Sequence, residues 1–490
     1  MDSPQHEFKK AGLKRAAITG WLWNFLIQLT TLFFTALVFL ITSRLLDPVS
    51  FGIVAFGAAA VALIASVMPT AFGEALVQRE DLRDQHLNSV FWLCLGLAGA
   101  AYGLLMLAAP VIAAHQEVDL LVPILALLGS KLFFDAIGTV PNALLTRRME
   151  FRALAIRSVL ANMAGAAICL TLIWLGHPLW GLVMSQVTSP LVSMVIVVWV
   201  TRWRPSGGFA RSAIRDLSHF GLSTLGGQVL NQSRISQLLF GLMLGPAALG
   251  LYFFARRLFG LLSDLTAGAF GAVSGVLFAT LQSDPVRRKS AFTIASFAST
   301  ALGFPVFGGL IVLAPAAVPL VFGPQWGEAV IMVQALSVTG LMASLGIIQG
   351  ALIRYLGAAG WWFRYQLLTH VTGWGLIVVL APFGAAVVVI ALACRTVLLW
   401  PMTVRKSAQL LDLRFGEYLS SFAAPACATL MAMAWVLLLP ALVPGAGPWG
   451  LLGAQIGSGA VVYVLTLALL ARSQIAQARA FWRKRKEGQG

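Results

Sequence analysis

Apolar stretches about as long as a bilayer is thick follow one another along almost the whole chain, separated by short charged segments; Ile18 to Thr42 and Ala153 to Leu175 are two of them. Each exceeds the roughly 20 residues that carry a helix across a hydrocarbon core of about 30 Å. About fourteen such spans can be placed, near residues 18–42, 51–72, 89–113, 120–142, 153–175, 179–201, 217–243, 248–274, 291–313, 328–350, 361–381, 384–403, 419–440 and 450–471. With 59% hydrophobic and 11% charged residues, against about 25% charged in an ordinary soluble domain, the chain is expected to be an all-α polytopic membrane protein. The segments between spans leave no room for a soluble catalytic domain.

The polar, basic stretch DSPQHEFKKAGLKR before the first span has the character of a secretory leader. The apolar run after it is too long for a leader's h-region and lacks a cleavage site, so it is expected to stay as a membrane helix. Lysine and arginine accumulate on the cytoplasmic side of membrane proteins. Arg44 falls on an outer loop, and Lys131, Arg234, Arg256, Arg257 and Arg395 fall within spans. Every other one of the 34 basic residues, counting Arg157 and Arg364 at the inner ends of their spans, lies on a segment that is inside when both termini are cytoplasmic. The net charge of +16 therefore reads as topology and attraction to anionic lipid headgroups, with no call for nucleic acid.

Cys94, Cys169, Cys394 and Cys427 lie within apolar spans without a CxxC spacing and read as small core residues. No two histidines stand three or four apart, and no nucleophile elbow, P-loop or dinucleotide fingerprint is present. No cofactor, metal or catalytic set is expected, and ATP-driven transport would need a partner chain.

The chain contains a repeat. LLDPVSFGIVAF and MLGPAALGLYFF align Leu46, Pro48, Gly52 and Phe56 with Leu244, Pro246, Gly250 and Phe254, with Asp47 opposite Gly245. Further on, PNALLTRR from Pro141 aligns with QGALIRYL from Gln349, Gly165 with Gly373, and Gly176 with Gly384, at nearly the same offset. The organisation expected is an N-terminal segment 1–17, a first lobe 18–201, a linker 202–216, a second lobe 217–403, two extra helices within 404–471, and a basic tail 472–490. An even number of spans per lobe makes the repeat parallel, about an axis along the membrane normal. Asp47 is placed to cap the second helix, with Pro48 at its first position. Gly52 and Gly250 are placed to let two helices approach closely.

These residues carry a resemblance. SRLLDPVSFG, then EALVQREDL and NSVFWL, resemble the first third of the Wzx-type polysaccharide flippases of the multidrug, oligosaccharidyl-lipid and polysaccharide exporter superfamily. The matching positions are Ser43, Arg44, Leu45, Leu46, Asp47 and Pro48, then Phe51 and Gly52, then Val77, Gln78 and Arg79. In the second half HFGLSTLGGQVLNQ and LGPAALGLYFFARRLFGL are similar to the same family, with Tyr252, Ala255, Arg256, Arg257 and Leu258 at its motif positions. The match is closest over about residues 15–95 and 205–290. Where many relatives carry an acid, this chain has Ser236 and Gln237, which puts coupling through that acid in doubt. The resemblance implies two six-helix lobes in a V, a bacterial inner-membrane location, and outward passage of an undecaprenyl-pyrophosphate-linked oligosaccharide, with a polymerase and chain-length proteins as pathway partners.

A charge at membrane depth costs about 2.5 to 3.5 kcal/mol on insertion scales, so each needs a partner or a wet cavity. Lys131 and Asp135, four apart, can pair on one helical face. Arg256, Arg257, Arg234 and Arg395, with Lys131, are the candidate ligands for a pyrophosphate, since guanidinium grips phosphate oxygens in a fork; for Arg256 and Arg257 the other reading is snorkelling from a helix end. Asp135, Asp264, Glu74 and Arg79 are the candidates for gating or coupling. Trp21, Trp23, Trp326, Trp361 and Trp362 are expected as interfacial anchors.

The leading expectation is a non-enzymatic flippase working by alternating access through a cationic cleft. A small-molecule antiporter of the same superfamily is the alternative, disfavoured by the few membrane acids. A polytopic glycan polymerase or ligase is a further one, disfavoured by outer loops such as APAAVPLVFGPQWG and PALVPGAGPWG that are short and nearly uncharged.

Overall fold

The computed structural model describes residues 27–67, 70–79, 81–215, 234–266, 278, 284–472 and 474. Helix α1 (Ile27–Leu45) gives way to α2 (Pro48–Val67) across a single turn. The Asp47 carboxylate accepts hydrogen bonds from the backbone N–H groups of Val49 (3.1 Å) and Ser50 (3.3 Å). Pro48 opens α2 at a place where its missing N–H costs nothing. There follow α3 (Thr70–Gln78), α4 (Asp84–Gln116), α5 (Leu121–Gly129), α6 (Lys131–Arg147), α7 (Phe151–Trp174) and α8 (Pro178–Thr201). Then come α9 (Arg234–Thr266), α10 (Pro285–Phe322), a 3-10 segment Pro324–Ala329, α11 (Val330–Tyr355), α12 (Ala359–Leu380), α13 (Ala385–Leu411), α14 (Phe415–Leu442) and α15 (Pro448–Leu470).

Among the described residues, 13 helical runs are long and apolar enough to cross a membrane. The difference from the expected number lies in α9, which carries parts of two expected spans, 217–243 and 248–274. They join at Gly245, whose backbone (φ 80°, ψ 176°) leaves the helical region. The expected residues 18–26, 217–233 and 267–274, with Trp21 and Trp23, lie outside the described ones. Several helices overrun the spans: α10 has 38 residues, about 57 Å at 1.5 Å per residue, so its polar start PVRRKS projects beyond the hydrocarbon.

The chain forms two compact units, Met1–Gly250 and Leu251–Gly490. In the first, α7 lies along α8, α6 between α4 and α8, and α2 against α5. An added β-carbon on Gly165 of α7 would come within 3.0 Å of the Ser185 carbonyl oxygen on α8, the close backbone approach that small residues allow in lipid. The segment after α8 is strapped to the start of α4: the Ser206 N–H donates to Asn88 Oδ1 (3.1 Å), the Ala210 N–H to Ser89 Oγ (2.9 Å) and the Trp92 indole to the Gly207 carbonyl (3.1 Å).

In the second unit α10 packs on α11 and α14, α11 on α13, and α14 on α15. Phe292, Phe304, Leu352, Tyr418 and Phe422 form its core. Within that core Gln349 Nε2 donates to the Tyr418 hydroxyl (2.6 Å) and Thr403 Oγ1 donates to Gln349 Oε1 (2.9 Å), tying α11, α13 and α14 together. The Tyr463 hydroxyl reaches from α15 to the Ala301 carbonyl of α10 (2.7 Å). Gly176 (φ +85°) and Gly384 (φ +97°), aligned by the repeat, turn the chain into α8 and α13.

Trp326 corrects an expectation. It is no interfacial anchor but fully buried, stacked on Phe254 with centroids 4.2 Å apart, because the 3-10 segment turns its indole inward. Among the described residues, the exposed indoles at helix ends are Trp174, Trp199 and Trp449. Cys94 and Cys169 are buried as expected, whereas Cys394 and Cys427 are exposed on membrane helices.

Candidate functional site

The two copies of the repeated motif meet. A β-carbon on Gly52 of α2 would overlap the Pro246 carbonyl, and one on Gly250 would overlap the Pro48 carbonyl. The contact is reciprocal, as a two-fold repeat requires. It brings backbone against backbone, with Gly241 packed on the Phe56 ring beside it.

Beyond α2 the first unit holds a cavity of about 380 Å³. Its polar lining is Glu74 of α3, Asp135, Thr139, Asn142 and Thr146 of α6, and Ser193 of α8. The end of α3 is fixed by Arg147, which donates to the carbonyls of Leu76, Val77 and Arg79; a cation there satisfies C-terminal carbonyls and complements the helix dipole. Arg79 turns its own Nε to the Asp81 carbonyl (3.0 Å), and Glu74 lies one turn back, facing the cavity.

Lys131 and Asp135 do not close the ion pair their spacing allows. No contact within 4.0 Å joins them among the described residues, because Asp135 is turned to the open cavity. Lys131 remains within electrostatic reach of it. A further arginine, Arg157, counted with the inner segments although its expected span began at 153, stands inside α7. It donates to Asn142 Oδ1 on the cavity wall and to Ser158 Oγ (3.2 Å), and its Nε is buried without a partner. Thr139, Asn142 and Arg157 were not singled out from sequence; a polar residue every few positions along α6 was the available signal.

The expected cationic ligands lie elsewhere. Arg395, half-buried on α13, donates through one terminal nitrogen to the Thr369 carbonyl of α12 (2.6 Å). The guanidinium fits because Gly373 has no side chain in the space it fills. Its Nε is buried without a partner, and its electrostatic neighbours are Tyr365, Tyr252 and His370 rather than carboxylates. Tyr252 is four residues before Arg256 on α9, and residues four apart share a helical face. Arg257 is exposed and within electrostatic reach of Asp264. Arg234 opens α9 and belongs to the first unit.

The first unit thus holds a cavity lined by Glu74 and Asp135, and the second a half-buried Arg395 whose Nε has no partner. Residues 41–331 match the model of a family described as polysaccharide biosynthesis protein. The chain is 30% identical over 356 residues to the succinoglycan biosynthesis transport protein ExoT of Rhizobium meliloti (strain 1021), covering 69% of this chain and 70% of that one. It is 22% identical over 349 residues to the lipopolysaccharide biosynthesis protein WzxC of Escherichia coli (strain K12), covering 70% of each. In fold it is similar to the lipid II flippase MurJ in an inward closed conformation, with a TM-score of 0.72 at 13% identity over 94% of this chain and 100% of that one.

Proposed function

The chain belongs to the polysaccharide biosynthesis protein family, and on that premise we propose that it flips an undecaprenyl-pyrophosphate-linked oligosaccharide from the inner to the outer leaflet of the bacterial cytoplasmic membrane. It is a multi-pass membrane transporter and not an enzyme. The product would feed export of an exopolysaccharide, capsule or O-antigen, with a polymerase and chain-length proteins acting downstream.

The observation that carries this reading is Arg395. A membrane-embedded guanidinium held by one carbonyl, with a buried nitrogen unpartnered, stores an unmet demand for an anion. A diphosphate supplies the oxygens that a guanidinium binds in a fork. Arg256, Arg257, Arg234 and Lys131 would join Arg395 as the headgroup passes, and the prenyl chain would stay in lipid. Asp135 and Glu74 in their cavity, with Asp264 and Arg79, would gate or couple the movement. The lobes, 18–201 and 217–403, would rock about the LLDP and LGP turns, with both termini cytoplasmic.

Reconstituted into liposomes, the protein should translocate a labelled prenyl-diphosphate oligosaccharide in one direction of net flux. Unchanged translocation of every lipid-linked glycan tested, with and without the protein, would overturn the reading. The acidic cavity favours a second one, a small-molecule antiporter for organic cations. Efflux of cationic dyes that depends on Asp135 and Glu74, in cells where lipid-linked glycans do not move, would reverse the ranking.

A further inference from the structure

Arg395 of α13 is seated on one row of α12, formed by Thr369 and Gly373. One of its terminal nitrogens donates to the Thr369 carbonyl (2.6 Å), and its guanidinium carbon would stand 3.4 Å from a β-carbon added to Gly373. The adjoining row of α12, one residue on, is His370 and Trp374, whose rings stack with centroids 6.0 Å apart. His370 is within electrostatic reach of Arg395. The guanidinium and the indole that follows Gly373 therefore share one seam of the second unit, with the imidazole next to both.

Trp374 Nε1 is buried and, among the described residues, meets no acceptor; Arg395 Nε is in the same position. Buried polar groups are nearly always hydrogen-bonded, and an N–H without an acceptor costs free energy wherever water is excluded. Trp374 stands about 9 Å of helix before the end of α12 at Leu380. Its enclosed N–H therefore does not serve the headgroup layer as that of an interfacial indole does. Neither side chain can relieve the other, since indole and guanidinium both donate and neither accepts. The His370 ring lies nearly face to face with the indole, at 27°, which keeps its nitrogens out of line with the indole N–H. A group that satisfies both donors must bring acceptors, and the oxygens of a diphosphate are acceptors on both phosphoryl groups.

We infer that the Trp374 indole N–H is a second donor to the diphosphate that Arg395 binds, so that a charged donor and a neutral one hold the headgroup side by side. The inference rests on the diphosphate reading of Arg395 given above. A neutral donor adds grip without a further charge, which is costly to keep at membrane depth. An N–H that meets its acceptor only in the loaded protein adds nothing to the stability of the empty one, and that separates a ligand donor from a tryptophan kept for packing.

The test uses the purified full-length chain in neutral detergent, with undecaprenyl diphosphate as the probe and binding read by native mass spectrometry. Trp374→Phe keeps an aromatic ring and deletes the N–H. It should keep the wild-type Tm and weaken binding about fivefold, the scale of one hydrogen bond. Trp449→Phe, at an exposed indole, should bind as the wild type does. Ultraviolet resonance Raman spectra give a signature that packing alone does not. The indole N–H band of the wild type should shift toward stronger hydrogen bonding with undecaprenyl diphosphate, stay in place with undecaprenol, which lacks the phosphates, and show no such shift in Trp374→Phe. Wild-type binding by Trp374→Phe, where Arg395→Gln binds less, overturns the inference and leaves the diphosphate reading standing. Binding that Arg395→Gln leaves unchanged overturns both. Where Trp374→Phe is too unstable to assay, the wild-type difference spectrum decides: no shift with the diphosphate, or an equal shift with undecaprenol, overturns the inference.

Discussion

Gly52 and Pro246 are in backbone contact: the Pro246 carbonyl fills the space where a Gly52 side chain would begin, and Gly250 and Pro48 repeat the relation. Neither wall of this contact is a side chain that can rotate away. Gly52→Ala or Gly250→Ala must therefore push two helices apart, an overpacking cost of about 2 kcal/mol or more at each site. Both variants should show a lower Tm and less monodisperse protein in detergent. Gly260→Ala, with nothing within 4 Å of its added methyl, should match the wild type in the same melting experiment.

That contact was legible in the sequence because it is written in proline and glycine, residues whose backbone consequences do not depend on surroundings. The spans were legible for a similar reason, since lipid leaves a chain no option but to satisfy its backbone within helices. The facing of each helix was not. Leu105 is 3% exposed and Leu107 77% exposed on the same helix, yet lipid and a neighbouring helix ask for the same side chain. The same blindness hid the burial of Trp326 and the bond from Arg157 to Asn142. It also let Lys131 and Asp135 pass for a pair when Asp135 faces a cavity. Two expected spans abut at Gly245, whose non-helical backbone kinks the chain between them.

Asp47 supports a pH prediction. Partial burial acts to raise its carboxyl, but hydrogen bonds from Ser50 and Val49 outweigh burial and hold it below the ordinary carboxylate range. A carboxyl lowered on folding contributes stability above its unfolded pKa and loses it as pH falls through the folded value. Asp47→Ala should cost about 1 kcal/mol at neutral pH, as a lost helix cap. The Tm gap between variant and wild type should narrow steadily below the ordinary carboxylate range. A gap that widens on acidification contradicts this account of the cap.

Arg395 is held by a carbonyl rather than a carboxylate, so removing it leaves no orphaned charge behind. Arg395→Gln should keep stability within about 1 kcal/mol of wild type and lower translocation of a prenyl-diphosphate oligosaccharide at least about tenfold, the loss of one charge-assisted phosphate contact. Gly373→Ala tests the same point from the other helix. Its methyl would occupy the guanidinium's place, so it should lower translocation while leaving Arg395 in the chain. Full activity in both variants would show that the headgroup passes elsewhere.

The cavity of the first unit joins Glu74 of the short α3 and Asp135 of the membrane helix α6, with Thr139, Asn142 and Ser193 around them. A carboxylate there is kept charged only by water or by a cation, so movement that closes the cavity must neutralise it first. Asp135→Asn imitates the neutral form permanently. In vesicles it should abolish the response of translocation to an imposed proton or sodium gradient while retaining gradient-free exchange of labelled for unlabelled lipid-linked oligosaccharide. Glu74→Gln should act in the same direction, and Met194→Leu, a neutral change in the same lining, should do neither. A wild-type protein whose translocation ignores both gradients would remove the coupling role from these acids.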